Sequence, residues 1–218
     1  KLPAFDAGFI DSPIGALAKV KGEIITTAGF AHASLKKVSF CLKTRDDDVL
    51  GEREAVEEYL DDSHKEIIRY LTTIYQGDVN EPEAKEISEM MRITNNIERL
   101  GDSMENVSKI LERIYDSNIE FSEKAKDDLV AISNKVVEFL GAVVDEMKEK
   151  TEGFYQRALA NEDLIEQMRE QMRYHHIERL RAGECSVDAG VLFIALVSHY
   201  EKMGDYCFNI ATGVDRII

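Results

Sequence analysis

Two ten-residue stretches lying 103 positions apart constrain this chain more than any other feature of it. Glu98-Arg-Leu-Gly-Asp102-Ser-Met-Glu-Asn106-Val107 and Glu201-Lys-Met-Gly-Asp205-Tyr-Cys-Phe-Asn209-Ile210 share the pattern E-[RK]-[LM]-G-D-x-x-x-N-[VI]. A fainter echo pairs Glu57-x-x-Leu60-Asp61 with Glu162-x-x-Ile165-Glu166. Repetition at a fixed spacing means one supersecondary unit used twice. The chain therefore has two related halves, read as residues 1–118 and 119–218.

Both halves read as helix. Only 3 prolines occur in 218 residues and charged side chains make up 32%, which favours long helices over sheet. Ser12-Pro13 reads as a cap with proline in the first turn, opening a helix to about Leu42. The polar Thr44–Asp48 stretch is a loop, and a second helix runs from Val49 to Tyr75, closed by Gly77. Asn80-Glu81-Pro82 starts a third that continues to about Tyr115. Ser122 caps a fourth of about 35 residues, Asn161 caps a fifth that stops at Gly183, and Ser186 or Asp188 opens a sixth. Short breaks make neighbours antiparallel. The expected fold is all-α, six long helices in two tandem three-helix bundles.

The repeated motif carries a physical cost. Residues four apart on a helix lie within about 40° of each other, so Glu98 and Asp102 share a side, as do Glu201 and Asp205. They sit on the shoulder of the apolar stripe Ile87, Met90, Ile97, Met104 and Leu111, at the edge of a helix–helix contact. Like charges at that spacing oppose helix formation by a few tenths of a kcal/mol, and more when partly desolvated. Gly101 and Gly204 add about 1 kcal/mol each relative to alanine. Such choices, made twice, invite a compensating cation, either a metal ion or a Lys or Arg from a neighbouring helix. Glu98, Asp102, Glu201, Asp205 and the acids Glu57, Asp61, Glu162 and Glu166 are the candidate metal ligands. Hard oxygen donors suit Mg²⁺, Mn²⁺, Ca²⁺ or oxidised iron.

Charge narrows the partners. With 42 acidic against 27 basic residues the net charge is −15, which repels nucleic acid and anionic lipid and favours cations or basic protein surfaces. Cys41, Cys185 and Cys207 are odd in number and widely spaced, so zinc-ribbon and disulfide readings fail and a reducing compartment fits; all three read as small core residues. The longest apolar run, Ala189–Val197, is too short to cross a bilayer, so no membrane insertion of this segment is expected. His175-His176 beside Arg179 reads as a solvated or interface face, and His64 and His199 as ordinary packing or hydrogen-bonding residues. The chain opens at Lys1, and a piece of a longer protein is the expectation.

The doubled motif, Glu98-Arg-Leu-Gly-Asp102 with Asn106-Val107 and Glu201-Lys-Met-Gly-Asp205 with Asn209-Ile210-Ala211, resembles the paired acidic motifs of the PhoU family. His176-Ile-Glu-Arg179-Leu180, Gly183-Glu-Cys and Gly190-Val191 resemble its branch attached to bacterial sodium/phosphate cotransporters, as does Phe9–Leu17. The resemblance implies two three-helix bundles and Mg, Mn, Fe or Zn at the acidic motifs. It further implies a non-enzymatic role restraining phosphate uptake or signalling. The implied partner is a transmembrane sodium/phosphate transporter portion in the same chain, with a second copy of the domain as another. The implied location is the cytoplasmic side of the inner membrane. Ser103 and Tyr206 stand where the family often has histidine, Lys202 stands for arginine, and Glu166 for Asp or Asn. A free-standing PhoU-like phosphate-signalling regulator is the alternative. A di-metal carboxylate enzyme fits less well: none of the five histidines has Glu three residues before it, and no phosphate loop or nucleophile elbow occurs.

Overall fold

The computed structural model describes residues 13–217. The expected Ser12 cap, and the Phe9–Ser12 part of the resemblance, lie outside them. Seven helices and no strand occur among the described residues: α1 Pro13–Phe40, α2 Asp47–Gly51, α3 Arg53–Tyr75, α4 Glu81–Asp116, α5 Glu123–Lys148, α6 Phe154–Arg181 and α7 Val187–Ile217. The six expected long helices are present, with α2 as a single added turn. That turn was expected to be the start of the second helix. Asp46 caps it by accepting from the Val49 amide, and the chain re-aims at Glu52 before α3 begins.

Most ends follow from local chemistry. Asn80 and Glu83 form a reciprocal capping box at the start of α4, with Pro82 in its first turn, where a missing N–H costs nothing. Ser122 and Ser186 accept from the amides of Ala125 and Ala189. Gly183, at φ +70°, closes α6 in the left-handed conformation that glycine takes without a Cβ penalty.

One boundary differs. The fourth helix was expected to continue to the cap at Asn161, but α5 stops at Lys148 and α6 begins at Phe154. Asn161 sits inside α6, its amide donating to the Arg157 carbonyl. The real break is held by Glu146, which accepts from the Thr151 amide, the Thr151 hydroxyl and Arg157, each at 2.6 Å. Gly153, at φ +74°, then turns the chain into α6.

Helices α1, α4, α7 and α5 pack in a ring, each on the next, with α3 lying on α4 and α1, and α6 on α7 and α5. Each half is thus a three-helix bundle, and the turn between α4 and α5 at residues 117–122 joins them. One continuous apolar core runs through both. Across the join, the Tyr200 hydroxyl meets Ser39 at 3.4 Å, Arg216 pairs with Glu89 at 2.9 Å, and the site of a Cβ on Gly213 lies 2.7 Å from Ile93. No helix among the described residues is long and apolar enough to cross a membrane. Cys41 and Cys207 are buried as expected, but Cys185 lies half-exposed in the turn between α6 and α7.

Candidate functional site

The glycines of the doubled motif are explained by packing. A Cβ on Gly101 would lie 2.7 Å from Leu60 Cδ1, and one on Gly204 would lie 3.0 Å from Ile165 Cδ1. Each bundle therefore presses one aliphatic side chain, from α3 or α6, onto the bare backbone of α4 or α7. What approaches the glycine is a hydrocarbon knob and not a cation. Close approach has a consequence for the neighbouring carboxylates. Leu60 is flanked by Glu57 and Asp61, and Ile165 by Glu162 and Glu166, so seating each knob brings those acids alongside the motif's own.

In the first half all four predicted acids reach one groove. Partial desolvation at the groove wall, followed by repulsion from Asp102, raises the Glu98 pKa above the usual carboxylate range. Asp102 is raised by the same desolvation and by Asp61 and Glu105, and Glu57 by desolvation, Asp61 and Glu105. The groove's ion pairs lie within single helices: Asp61 with Lys65 at 2.6 Å and Glu105 with Lys109 at 2.7 Å. Glu105, which matches Phe208 in the second half, joins the acidic set. His64 Nε2 shares a 2.7 Å hydrogen bond with Asn95 and lies close enough to ease the Glu98 charge.

The second groove is different. Glu162 is raised by desolvation and by Asp163, Asp205 and Glu166, and Asp205 by desolvation and Glu201. Yet Arg169 reaches across from α6 to Glu201 at 3.2 Å and also pairs with Glu166 and Glu170. The 105-residue offset between α3 and α6 places Arg169 where the first half has His64. The cation expected of the second groove is thus largely supplied by the protein. Arg169 was missed at the sequence level because its pairing with Glu201 depends on how two helices meet; the offset itself was visible.

The grooves differ in what they offer a cation. Among the described residues, no three His, Cys, Asp or Glu side chains converge closely enough to hold an ion. What the first groove offers is a field of carboxylates without a bridging Lys or Arg from the facing helix. A hydrated divalent ion held through water suits such a field. A divalent ion held there would lose roughly tenfold in affinity on Asp102→Asn, the loss of charge at one near carboxylate of a partly exposed site, and calorimetric titration with Mg²⁺ or Mn²⁺ measures it. Asp205→Asn changes it far less, and equal effects would remove the asymmetry between the grooves.

A third feature corrects the sequence reading. His176 and Arg179 are buried, with Arg179 only 4% exposed. Arg179 Nη1 donates to Asp128 Oδ2 of α5 at 3.0 Å, while its guanidinium lies 4.7 Å from the centre of the Phe193 ring. His175 also meets Asp128, at 3.4 Å. This cluster ties α5, α6 and α7 together, so of the expected solvated or interface face His176 and Arg179 lie at a helix–helix interface and His175 stays partly exposed.

Known proteins share the architecture, and one domain family matches each half. The PhoU domain family matches residues 24–111 and again 129–214, one match per half. The phosphate-specific transport system accessory protein PhoU homolog 1 of Thermotoga maritima is 25% identical over 126 residues, covering 57% of this chain and 53% of that protein. The chain thus spans about half the length of that curated relative. Crystal structures of PhoU from Pseudomonas aeruginosa and of the phosphate transport system regulatory protein PhoU from Streptococcus pneumoniae superpose with TM-scores of 0.86 and 0.78. The first covers 93% of this chain and 97% of its own at 12% identity, the second 92% and 94% at 14%, so these two speak for the fold. With both halves matched over most of their length, the chain belongs to the PhoU family.

Proposed function

We propose that this chain is a non-enzymatic regulatory module of phosphate transport, acting on a sodium-dependent phosphate transporter to which it is joined. The observation that carries the reading is the family match in each half, with both motifs seated in equivalent helix–helix grooves. The relatives' names, an accessory protein and a regulatory protein of phosphate transport, point the same way. The attachment to a sodium/phosphate transporter rests on the stretches His176–Leu180 and Gly183–Val191, which resemble that branch. A free-standing phosphate-signalling regulator is the second reading, and the family match favours it equally.

The mechanism follows from charge. A chain at −15 is drawn to basic loops of a transporter and held off anionic lipid, and the resemblance to the transporter-attached branch puts its working place on the cytoplasmic side of the membrane. It regulates by touching one transporter conformation better than another, since only differential affinity shifts an equilibrium. Divalent or ferric ions at the first groove, whether Mg, Mn, Fe or Zn, would screen Glu57, Asp61, Glu98 and Asp102 from one another. That changes how firmly α3 sits on α4, and so which surface is offered.

Uptake of labelled phosphate in cells carrying the full gene product or a version lacking this segment tests the reading. Removal leaves sodium-driven uptake intact under scarcity and poorly restrained when phosphate is plentiful. Uptake unchanged in both conditions sinks the regulatory role. Transport abolished in a truncated protein that still reaches the membrane would make the segment part of the transport machinery instead. Sodium-independent phosphate responses would favour the free-standing regulator.

A further inference from the structure

The two halves solve one packing problem twice, so a residue that departs from its twin marks something packing does not require. By the offsets of 105 and 103 residues, buried positions match along the helices: Ile67 with Met172, Leu71 with His176, Ile93 with Leu196 and Ile97 with Tyr200. Leu71 fills its place with hydrocarbon, whereas its twin His176 puts an imidazole there, 7% exposed. The His176 ring stacks on Phe193, and its Nδ1 is buried with no hydrogen-bond partner among the described residues. A buried polar atom left unpaired costs about 1–3 kcal/mol, a penalty that leucine in the same place avoids. One turn earlier on α6, Arg173 stands where the first half has Ile68. Both side chains line an open cavity of about 390 Å³ between α6 and α7, within the size range of small-molecule sites. Its other walls are Arg169, Ser198 and the apolar Ile177, Ile194 and Val197. No carboxylate lines it, although the chain carries 42 acidic residues.

We propose that this cavity binds a small organic phosphate, its head on Arg173, His176 and Ser198 and its apolar body along Ile177, Ile194 and Val197. Arg169 is already answered by Glu166, Glu170 and Glu201, while Arg173 meets Glu170 loosely, at 3.8 Å. Arg173 is therefore the guanidinium free to turn to a ligand, and its planar fork suits two phosphate oxygens at once. Burial and the neighbouring Arg179 hold the His176 pKa below its ordinary value, so the ring is neutral at pH 7 and keeps one N–H to donate. Donors from both α6 and α7 suit a head with three acceptor oxygens better than a carboxylate with two. Free phosphate would leave the apolar walls unused. The first half has no such lining, since His64, Ile68, Leu71 and Asn95 stand at the places of Arg169, Arg173, His176 and Ser198. In a chain of −15 the long-range field opposes an anion, so the affinity comes from these contacts. The cavity is separate from the acidic grooves and needs no transporter, so it stands or falls apart from the regulatory role.

Amide-shift titration of the isotope-labelled 218-residue chain tests this, with phenyl phosphate and adenosine monophosphate as probes. Inorganic phosphate, benzoate and benzyl alcohol are the comparisons. Saturable shifts with at least one organic phosphate are expected, concentrated on residues 173–177 and 194–198. Binding of that probe is about tenfold or more tighter than of any comparison, because only it uses both the donors and the apolar walls. Arg173→Ile and His176→Leu give this half the residues of its twin, and each weakens binding by at least about tenfold, the loss of one hydrogen bond to a charged group. Arg181→Ile removes the same charge from an exposed place on α6 outside the cavity and changes affinity less than about twofold. The amide spectrum of each variant shows directly whether it is folded. Absence of saturable shifts with both organic phosphates overturns the proposal. So does equal binding of inorganic phosphate, benzoate or benzyl alcohol, or an equal loss in Arg173→Ile and Arg181→Ile.

Discussion

Asp128→Ala lowers the unfolding free energy by roughly 3 kcal/mol, the low end of the range for breaking a buried ion pair because Asp128 keeps some contact with water. Its partner Arg179 has 5% of its side chain exposed, against 17% for Asp128. Removing the carboxylate leaves a guanidinium whose Nε and Nη2 have no hydrogen-bond partner among the described residues, and takes away the acceptor of Nη1. The His175 contact with Asp128 is lost as well. Arg179→Met is the informative counterpart. It removes the buried charge, retains a long apolar stem against Phe193, and leaves Asp128 near water. Its cost is expected within about 1 kcal/mol of zero. Urea unfolding followed by circular dichroism gives both values. Equal losses in the two variants would show that the ion pair itself supplies the stability, and that stranding the Arg179 charge adds nothing to the cost of Asp128→Ala.

Leu60→Ala costs about 2–5 kcal/mol, because it empties the seat that α3 occupies on α4. Leu60 is 2% exposed, and its Cδ1 fills the space that a side chain at position 101 would take. The second half of this prediction is a reversal of sign. In the wild-type protein, Gly101→Ala places a Cβ 2.7 Å from Leu60 Cδ1, so strain offsets the gain of about 1 kcal/mol in helix propensity. In the Leu60→Ala background that strain is gone, and Gly101→Ala is stabilising by about 1 kcal/mol. A double-mutant cycle in urea reads the coupling directly. Additive effects would mean that α3 does not hold Leu60 against Gly101 in solution. Ile165 and Gly204 form the parallel test, with a smaller reversal because Ile165 Cδ1 stands off at 3.0 Å.

Helix number, helix direction and the two-fold repetition were all legible in the residues, because each depends on local chemistry or on internal likeness. The capping box at Asn80 and Glu83, the serine caps at Ser122 and Ser186, and the left-handed Gly183 are short-range devices readable from neighbouring letters. The α5–α6 break was not legible. No proline marks it, and Asn161 offers a better-looking cap than Gly153. Glu146, Thr151 and Arg157 hold the turn only once the chain has bent back far enough for them to meet.

The acidic set was also legible as a list, since the repeat named Glu98, Asp102, Glu201 and Asp205 and the fainter echo named Glu57, Asp61, Glu162 and Glu166. Its meaning was not. The glycine beside each pair stood there as a cost in helix propensity, and the packed helices show what it permits, the close seat of Leu60 and Ile165. Two halves of like sequence pattern also proved unlike in electrostatics. Arg169 neutralises one groove from the facing helix, while His64 at the matching place leaves the other carboxylates without such a partner. Periodicity and caps act over a few residues, so the sequence alone determined that this chain is a doubled helical bundle carrying carboxylates on its helix shoulders. Asp128 and Arg179 are 51 positions apart and Arg169 and Glu201 are 32, so only the tertiary structure decided which charges are answered inside the protein and which still face water. The physical reason is that a charge's partner is set by distance through space, which the packing of whole helices fixes and local sequence does not.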